Sequence, residues 1–348
     1  MSRGSLMKRG ILAGLAAGLG AATLLATALP APAQTNTGTT FGSFLQIEPV
    51  ARTAAMGNAG VSAYNGLEGV YFNPAAIARI SGYEVLFSHN AWFAGISHDF
   101  VAVGIPLGSL GNAYTTITSL NSGDMDVRTV EQPLGTGERF SVRDIALGVG
   151  YGRQFSPRFS AGVQVNFVQE TIYHTAASTL TMSVGTLYRV SENGLRIGSS
   201  LTNFGTRAGF SGRDLRFTYD NVPGTNGDNS ALPATRFTDP YSVPVAFRVG
   251  LAKPFRFKDE QRLLVEVDAF HPNDNTEGMS FGAEYTLDEV LSLRAGYQDL
   301  FQQDSEVGLT LGAGIDGQVD AYKYQVDYAW AEQGRLGHSQ RVTVGISF

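Results

Sequence analysis

The sequence predicts a transmembrane antiparallel β-barrel of about 14 strands, with an N-terminal segment inside its lumen. From residue 83 onward, apolar residues alternate with Gly, Ser and Thr in segments of about 9 to 14 residues bounded by turn residues. One face of these segments is aliphatic and aromatic, and the other is small and polar with few charges. Long and short connections also alternate along the chain. A secreted β-sandwich or a propeller remains the alternative fold, because it also contains many alternating strands.

The alternation is clearest near the C-terminus, where one strand face is aromatic and the other is polar. The first face carries Tyr322, Tyr324, Val326, Tyr328 and Trp330, and the second carries Lys323, Gln325 and Asp327. The predicted strands span residues 83–90, 97–106, 112–120, 142–154, 158–173, 178–190, 194–204, 243–253, 261–271, 276–286, 290–298, 306–316, 319–331 and 338–348.

The connections provide an independent test, because outer-membrane barrels have short periplasmic turns and long external loops. The two longest predicted connections, 121–141 and 205–242, follow odd strands. Short turns at 156–157, 191–193, 287–289 and 317–318 follow even strands, and Asn193-Gly194 is a typical tight-hairpin pair. A sandwich has no reason to obey this parity.

The N-terminus indicates export. Arg3, Lys8 and Arg9 precede an apolar run over 11–29, and Ala31-Pro32-Ala33 matches a signal-peptidase site. We therefore expect a signal peptide at 1–33, a hatch at 34–81 and a barrel at 82–348, located in the cell outer membrane. A retained membrane anchor is the alternative for the first segment.

The hatch region is rich in Ala, Gly and Asn, and it is expected to plug the barrel. Within it, Asn73 followed by Pro74 predicts a short capped helix over 74–78.

Composition excludes several classes of protein. The chain has no cysteine, which excludes disulfides, thiolate zinc sites and a lipid-bearing N-terminal cysteine. The formal net charge is −6 and basic clusters are absent, so nucleic acid is not an expected partner. Beyond the N-terminal run no apolar stretch reaches the ~18 residues of a helical span.

No motif points to catalysis, and neither an enzyme activity nor a cofactor or metal is predicted. Residues 312–317 match G-x-G-x-x-G but precede a strand rather than a helix, and the five histidines lack metal-binding spacing. A hydrolase with a dispersed Ser-His-Asp set stays open, as does calcium binding in the acidic and amide loops 121–126, 226–229 and 273–277.

Two further sets of residues carry expectations. Charged residues on the predicted lumen face are expected to form a network that holds the hatch, because unpaired charge in a narrow interior is costly. They are Arg248, Glu266, Asp268, Glu284, Arg294 and Asp327. Phe348 ends the alternating run of Val342, Val344 and Ile346, as expected of a signal for the barrel assembly machinery.

The hatch region resembles the PorV/PorQ family of outer-membrane proteins associated with type IX secretion, which are relatives of FadL-type barrels. The residues that carry the resemblance are Phe44 to Ile47, Ala51 to Gly60 and Tyr71 to Ala78, with echoes at Leu201 to Gly205, Val243 to Val245, Leu293 to Tyr297 and Val326 to Ala329. Its hatch motif falls on Arg52, Met56, Gly57, Asn73 and Pro74.

The resemblance implies two functions. Proteins similar to PorV bind secreted cargo and pass it on, so the expected partners are outer-membrane lipid, the assembly machinery, and a secretion translocon with cargo C-terminal domains. This handover role, acting through loop 205–242, is the leading expectation. FadL-type relatives instead carry hydrophobic molecules through a lateral opening, which is the alternative expectation.

Overall fold

The computed structural model describes residues 38–191, 194–220, 231–258, 261–302, 305 and 307–348. The predicted signal peptide lies outside these residues, and so does Asn193 of the predicted Asn193-Gly194 turn. Among the described residues, no helix combines the length and the apolar character needed to cross a membrane.

The fold is a closed barrel of fourteen antiparallel strands, which we number in chain order. The strands are β1 (Glu84–Ala91), β2 (Ser97–Pro106), β3 (Asn112–Asn121), β4 (Val142–Gln154), β5 (Phe159–Ile172), β6 (Thr175–Arg189), β7 (Arg196–Gly205), β8 (Ala246–Lys258), β9 (Gln261–Pro272), β10 (Gly278–Leu287), β11 (Leu291–Leu300), β12 (Leu309–Val319), β13 (Tyr322–Glu332) and β14 (His338–Ser347).

Each strand pairs with the next, and β1 pairs with β14 from Glu84↔Ser347 to Ala91↔Gln340. Closure leaves no edge strand, so the backbone groups of the wall bond one another, as a transmembrane barrel requires. Phe348 continues the seam, because its carbonyl accepts the Tyr83 N–H at 2.8 Å and its ring stacks on Tyr83 at 5.6 Å.

The predicted strand number is confirmed, and most boundaries agree within three residues. Strand β8 extends five residues further than predicted, because residues 254–258 pair with β9. The prediction of a turn at 317–318 was wrong. Pairing continues to Val319↔Tyr322, and the turn lies at 320–321, where Asp320 has φ +54°.

Side chains alternate between the lumen and the outer wall. In β14, Arg341 and Thr343 are buried, whereas Val342, Val344 and Ile346 are 36 to 44% exposed. Such alternation continues around the barrel and gives the outside an apolar belt, as lipid contact requires.

Residues 38–82, the hatch, lie inside the barrel. The hatch contains short helices at Ser43–Gln46, Ala51–Ala54 and Pro74–Arg79. The predicted cap is confirmed, since the Asn73 side chain accepts the Ala75 N–H at 3.0 Å. The helix is a 3₁₀-helix and extends one residue beyond the prediction.

The predicted parity of the connections is confirmed. The lower end carries the short turns after the even strands, together with the junction of Tyr83 and Phe348. The upper end carries the long loops 122–141 and 206–245, the second of which includes a hairpin of Arg216–Tyr219 and Leu232–Thr235.

Candidate functional site

The lumen has two chemically different sides. The buried apolar side chains of the wall lie mostly on β1 to β6: Leu86, Phe100, Ala102, Tyr114, Ala146, Val168, Ala177 and Leu187. Buried ionisable side chains lie mostly on β9 to β14: Glu266, Asp268, Glu284, Arg294, Asp327 and Arg341. On β1 to β6, the buried acidic and basic side chains described are Asp144 and His98. The hatch lies between an apolar and a charged surface.

On the charged side, an ion-pair network joins the hatch to the wall. Arg52 contacts Glu284 at 2.7 Å and Glu68 at 2.8 Å, and Arg294 bridges Glu284 at 2.7 Å and Asp327 at 2.6 Å. Burial alone would lower the pKa of Arg52, but Glu284 and Glu68 outweigh it and raise that pKa well above the ordinary value. Arg52 therefore remains a cation in the lumen.

Glu266 and Asp268 hold the hatch in a different way, through its backbone. The Asp268 carboxylate accepts the N–H groups of Gly60 and Val61 at 2.8 and 3.0 Å. Glu266 accepts those of Ser62 and Ala63 at 2.6 and 3.0 Å. Four successive amides of the hatch thus bind two buried acids.

Arg248 also faces the lumen but lies outside this network. It donates to Thr202 Oγ1 at 2.7 Å and lies over the Phe72 ring at 5.6 Å. Of the six predicted lumen charges, the structure joins Glu284, Arg294 and Asp327 in one ion-pair network, and no ion pair of the other three is found among the described residues. Their functional role stays a prediction.

The predicted hatch motif lies where the hatch approaches the wall most closely. Gly57, at φ +69°, packs against the Tyr297 and Phe281 backbones, so a side chain there would collide with them. Met56 is buried against Gly282 and Gly296. The Asn73 amide donates to carbonyls of Val61 and Thr186 at 3.0 and 2.9 Å.

Sequence reasoning missed three buried polar groups near the upper end of the lumen. Arg341, His98 and the hatch residue Glu48 are each at most 3% exposed, and Arg341 lies over Trp92 at 5.5 Å. Burial raises the pKa of Glu48 to about 7, despite hydrogen bonds from Thr53 and Val50. The alternation of β14 places Arg341 on the lumen face and could have identified it as buried. Glu48 lies in the hatch, where no periodic pattern distinguishes buried residues.

Beneath loop 206–245, the hatch contributes to an apolar cluster. This upper apolar cluster comprises Phe41, Phe44, Ala146, Val168, Ala177, Ala208 and Val243. Below it lies a cavity of about 40 Å³, which is lined by Phe44, Leu45, Ile47, Val70 and Phe100, by hydroxyl and amide groups of β3 to β7, and by Arg248 of β8.

The cavity reaches the wall at an irregularity between β6 and β7. Thr202 and Asn203 both lie opposite Ser183, and Asn203 has φ +60° and donates its N–H to Ser183 Oγ at 3.1 Å. This geometry is a β-bulge, which locally weakens the ladder. Strand pairing nevertheless continues around the whole wall.

The hatch separates upper from lower spaces. A polar cavity of about 180 Å³ lies at the upper end beside Arg248 and Asp274. Two cavities of about 460 and 330 Å³ lie at the lower end and share Glu68, Glu289 and Asp316 among their lining residues.

The other sequence motifs lie in ordinary surroundings. Residues 312–317 fall within β12, where Gly312 faces Ala55 of the hatch. Among the described residues no cluster of three or more His, Asp or Glu side chains fits a metal ion. In loop 273–277, Asp274 instead accepts hydrogen bonds from Thr40 and Gln46, and loop 226–229 lies outside the described residues.

No family model matches the chain, and no curated protein matches it. Solved structures do. The toluene transporter TodX of Pseudomonas putida is 14% identical over 86% of this chain and 98% of that chain, with a TM-score of 0.54. A FadL homologue of Pseudomonas aeruginosa is 10% identical over the same shares, also with a TM-score of 0.54. The toluene transporter TbuX of Ralstonia pickettii is 13% identical over 86% and 97%, with a TM-score of 0.50.

At these identities the similarity concerns the fold. It supports the FadL-type part of the resemblance and gives no support to PorV/PorQ specifically. The chain therefore has the fold of the FadL-type fourteen-strand barrels.

Proposed function

We propose that this protein is an outer-membrane channel for hydrophobic small molecules. The observation that carries the proposal is the upper apolar cluster with the cavity beneath it. A solute that enters below loop 206–245 would meet Phe41, Phe44 and Val243 first. The cavity then continues along Leu45, Ile47 and Val70 of the hatch. Apolar pockets with a few polar groups are the usual binding sites for small molecules.

The size of the cavity indicates a closed state. An engineered apolar cavity that binds benzene has a volume of roughly 150 Å³. The 40 Å³ space is several times smaller, so passage of even a monoaromatic molecule requires the hatch to move. The solved structures named above include two toluene transporters and a FadL homologue, and this supports the same class of solute.

The exit route follows from the same geometry. The cavity ends at the β6–β7 bulge, and the charged network fills the opposite side of the lumen. We propose that solutes leave along the apolar side, either past the hatch or through the wall at the bulge. The charged side holds the hatch in the closed state.

Uptake by whole cells tests the proposal. Cells that lack their own hydrophobic channels would express this barrel, and entry of a monoaromatic hydrocarbon and of a long-chain fatty acid would be measured separately. We expect faster entry of at least one of them than in cells with an empty vector. Leu45→Asp places a charge in the cavity and should reduce entry, whereas Leu134→Asp on an exposed loop should not. Equal entry with and without the barrel would contradict the proposal.

The second candidate is the handover role implied by the PorV/PorQ resemblance. Loop 206–245 favours it, since Phe237 is 84% exposed and Tyr219 is 49% exposed on the same loop. Exposed aromatic residues are common anchors of protein interfaces. Copurification from outer membranes in mild detergent tests it. Recovery of a large translocon barrel or of exported proteins sharing one C-terminal domain would favour handover over transport.

A further inference from the structure

Glu266 and Asp268 form a pair of buried carboxyl groups on the lumen face of β9. Glu266 is fully buried and Asp268 is 2% exposed. One oxygen of each accepts the hatch amides described above. The other oxygens, Glu266 Oε2 and Asp268 Oδ1, have no hydrogen-bond partner among the described residues, and the two side chains are neighbours on one face of β9.

Among the described residues, no cation forms an ion pair with this carboxyl pair. The residues opposite on β8 are Ala252 and Gly250, and those on β10 are Gly282 and Ser280. The nearest titratable groups are Arg196 of β7 and Tyr64 of the hatch, with Arg248 and Glu284 further along the neighbouring strands. Among the described residues, none of them makes an ion pair with Glu266 or Asp268 within 4.0 Å.

Two ionised carboxylates side by side inside a protein repel each other, and their unpartnered oxygens would both be acceptors without a donor. One shared proton removes both problems, because it converts the contact into a strong O–H···O⁻ hydrogen bond. The pair then carries one negative charge. Four successive backbone N–H groups form a concavity that favours an anion, so the segment Gly60 to Ala63 matches that charge.

We propose that Glu266 and Asp268 share one proton and act as a latch on the hatch at Gly60 to Ala63, and that loss of the shared proton releases this segment. The inference concerns how the hatch is held, and it does not depend on which solute the barrel carries.

The direction of the pH dependence follows from the charges. While the pair keeps its proton, the latch stabilises the hatch. As the pH rises and the proton is lost, the second negative charge repels the first and the contact opens. At a pH low enough to protonate both groups, the amides lose their anionic acceptor and the latch weakens again. Protection of residues 60–63 should therefore be greatest at intermediate pH.

Infrared spectroscopy of the full-length barrel in lipid vesicles tests the shared proton. At neutral pH, the carbonyl stretch of a protonated acid should be present, and either Glu266→Gln or Asp268→Asn alone should remove the whole contribution of the pair. Loss of half in each variant would mean two independent protons, and no loss would mean two ionised carboxylates. Either result would overturn the proposal. Glu277→Gln, in an exposed loop, is the matched control.

Hydrogen exchange tests the latch itself. After correction for intrinsic rates, amides 60–63 of the parent should lose about tenfold or more protection between about pH 6 and about pH 9. Glu266→Gln should keep its protection at both pH values, because its amide donates permanently to Asp268 and fixes the charge at −1. Exchange in the parent that does not change over this range would overturn the release step.

Discussion

At the scale of single residues, the stability of the hatch depends on how its buried charges are compensated. Arg52 is held by two carboxylates, Glu284 and Glu68, on opposite sides of its guanidinium. Removing one partner of a buried ion pair costs far more than removing an exposed one, because the remaining charge stays desolvated. This contrast gives a direct test of the network.

Arg52→Ala should lower the free energy of unfolding by about 3 to 5 kcal/mol, since it leaves Glu68 without its cation. Denaturant titration of the barrel in lipid vesicles measures this. Arg139→Ala is the control, because Arg139 pairs with Asp126 at 3.4 Å on an exposed loop. That change should cost about 0 to 1 kcal/mol. Equal losses in both variants would show that the network does not stabilise the fold.

Burial of Glu48 makes the stability of the folded protein depend on pH. Its pKa in the folded protein is raised by burial to about 7 from an ordinary value of 4.5, so folding favours the protonated form. The resulting stabilisation is complete below about pH 4.5 and is lost as the pH rises through about 7. Glu48→Gln should remove this dependence, which amounts to about 3 kcal/mol over that window. Unfolding titrations at several pH values check it, with the exposed Glu131→Gln as control. Parallel curves for parent and Glu48→Gln would contradict the assignment.

At the scale of elements, the hatch is held by close backbone contact as well as by charge. A Cβ at Gly296 would lie 2.2 Å from the Gly57 nitrogen, which is far inside van der Waals contact. The strand cannot yield easily, because β11 is paired on both sides. A side chain at this position must therefore move the hatch.

Gly296→Ala should displace the hatch around Met56 and Gly57 while the barrel still assembles. We expect faster hydrogen exchange of this segment and greater sensitivity of cells to a bulky hydrophilic antibiotic. Gly317→Ala is the matched control, because nothing lies within 4 Å of a Cβ there. Unchanged exchange in Gly296→Ala would mean that the contact is not restrictive.

The sequence predicts the strands better than it predicts the contacts in the lumen. Alternation with period two follows from lumen and lipid on opposite faces, and it identified all fourteen strands. The turn after β12 was misplaced because Gly317-Gln318 reads as a turn locally, whereas strand pairing determines where β12 ends. The lumen was harder to predict. Glu266 and Asp268 were recognised as inward charges, but their partners are hatch amides, which no side-chain pattern identifies.

At the scale of the whole molecule, the barrel combines a charged side that holds the hatch with an apolar side along which we propose that a solute passes. One side of the lumen holds the hatch, and the other side is the proposed path of the solute. Under the proposed function the 40 Å³ cavity next to Val70 is too small for a solute, so the hatch must be released before a solute can pass. The proposed function therefore requires the hatch to move.

A reversible disulfide between hatch and wall tests that claim most directly. The chain has no cysteine, and the Ala51 N–H lies 2.8 Å from Thr343 Oγ1, so Ala51→Cys with Thr343→Cys places two cysteines at contacting positions of hatch and wall. We expect oxidation to reduce uptake of hydrophobic solutes to the level of cells without the barrel, and a reductant to restore it. Each single-cysteine variant should take up solutes at the same rate in both conditions. Equal uptake by the oxidised and reduced double variant, with the disulfide verified, would contradict the account.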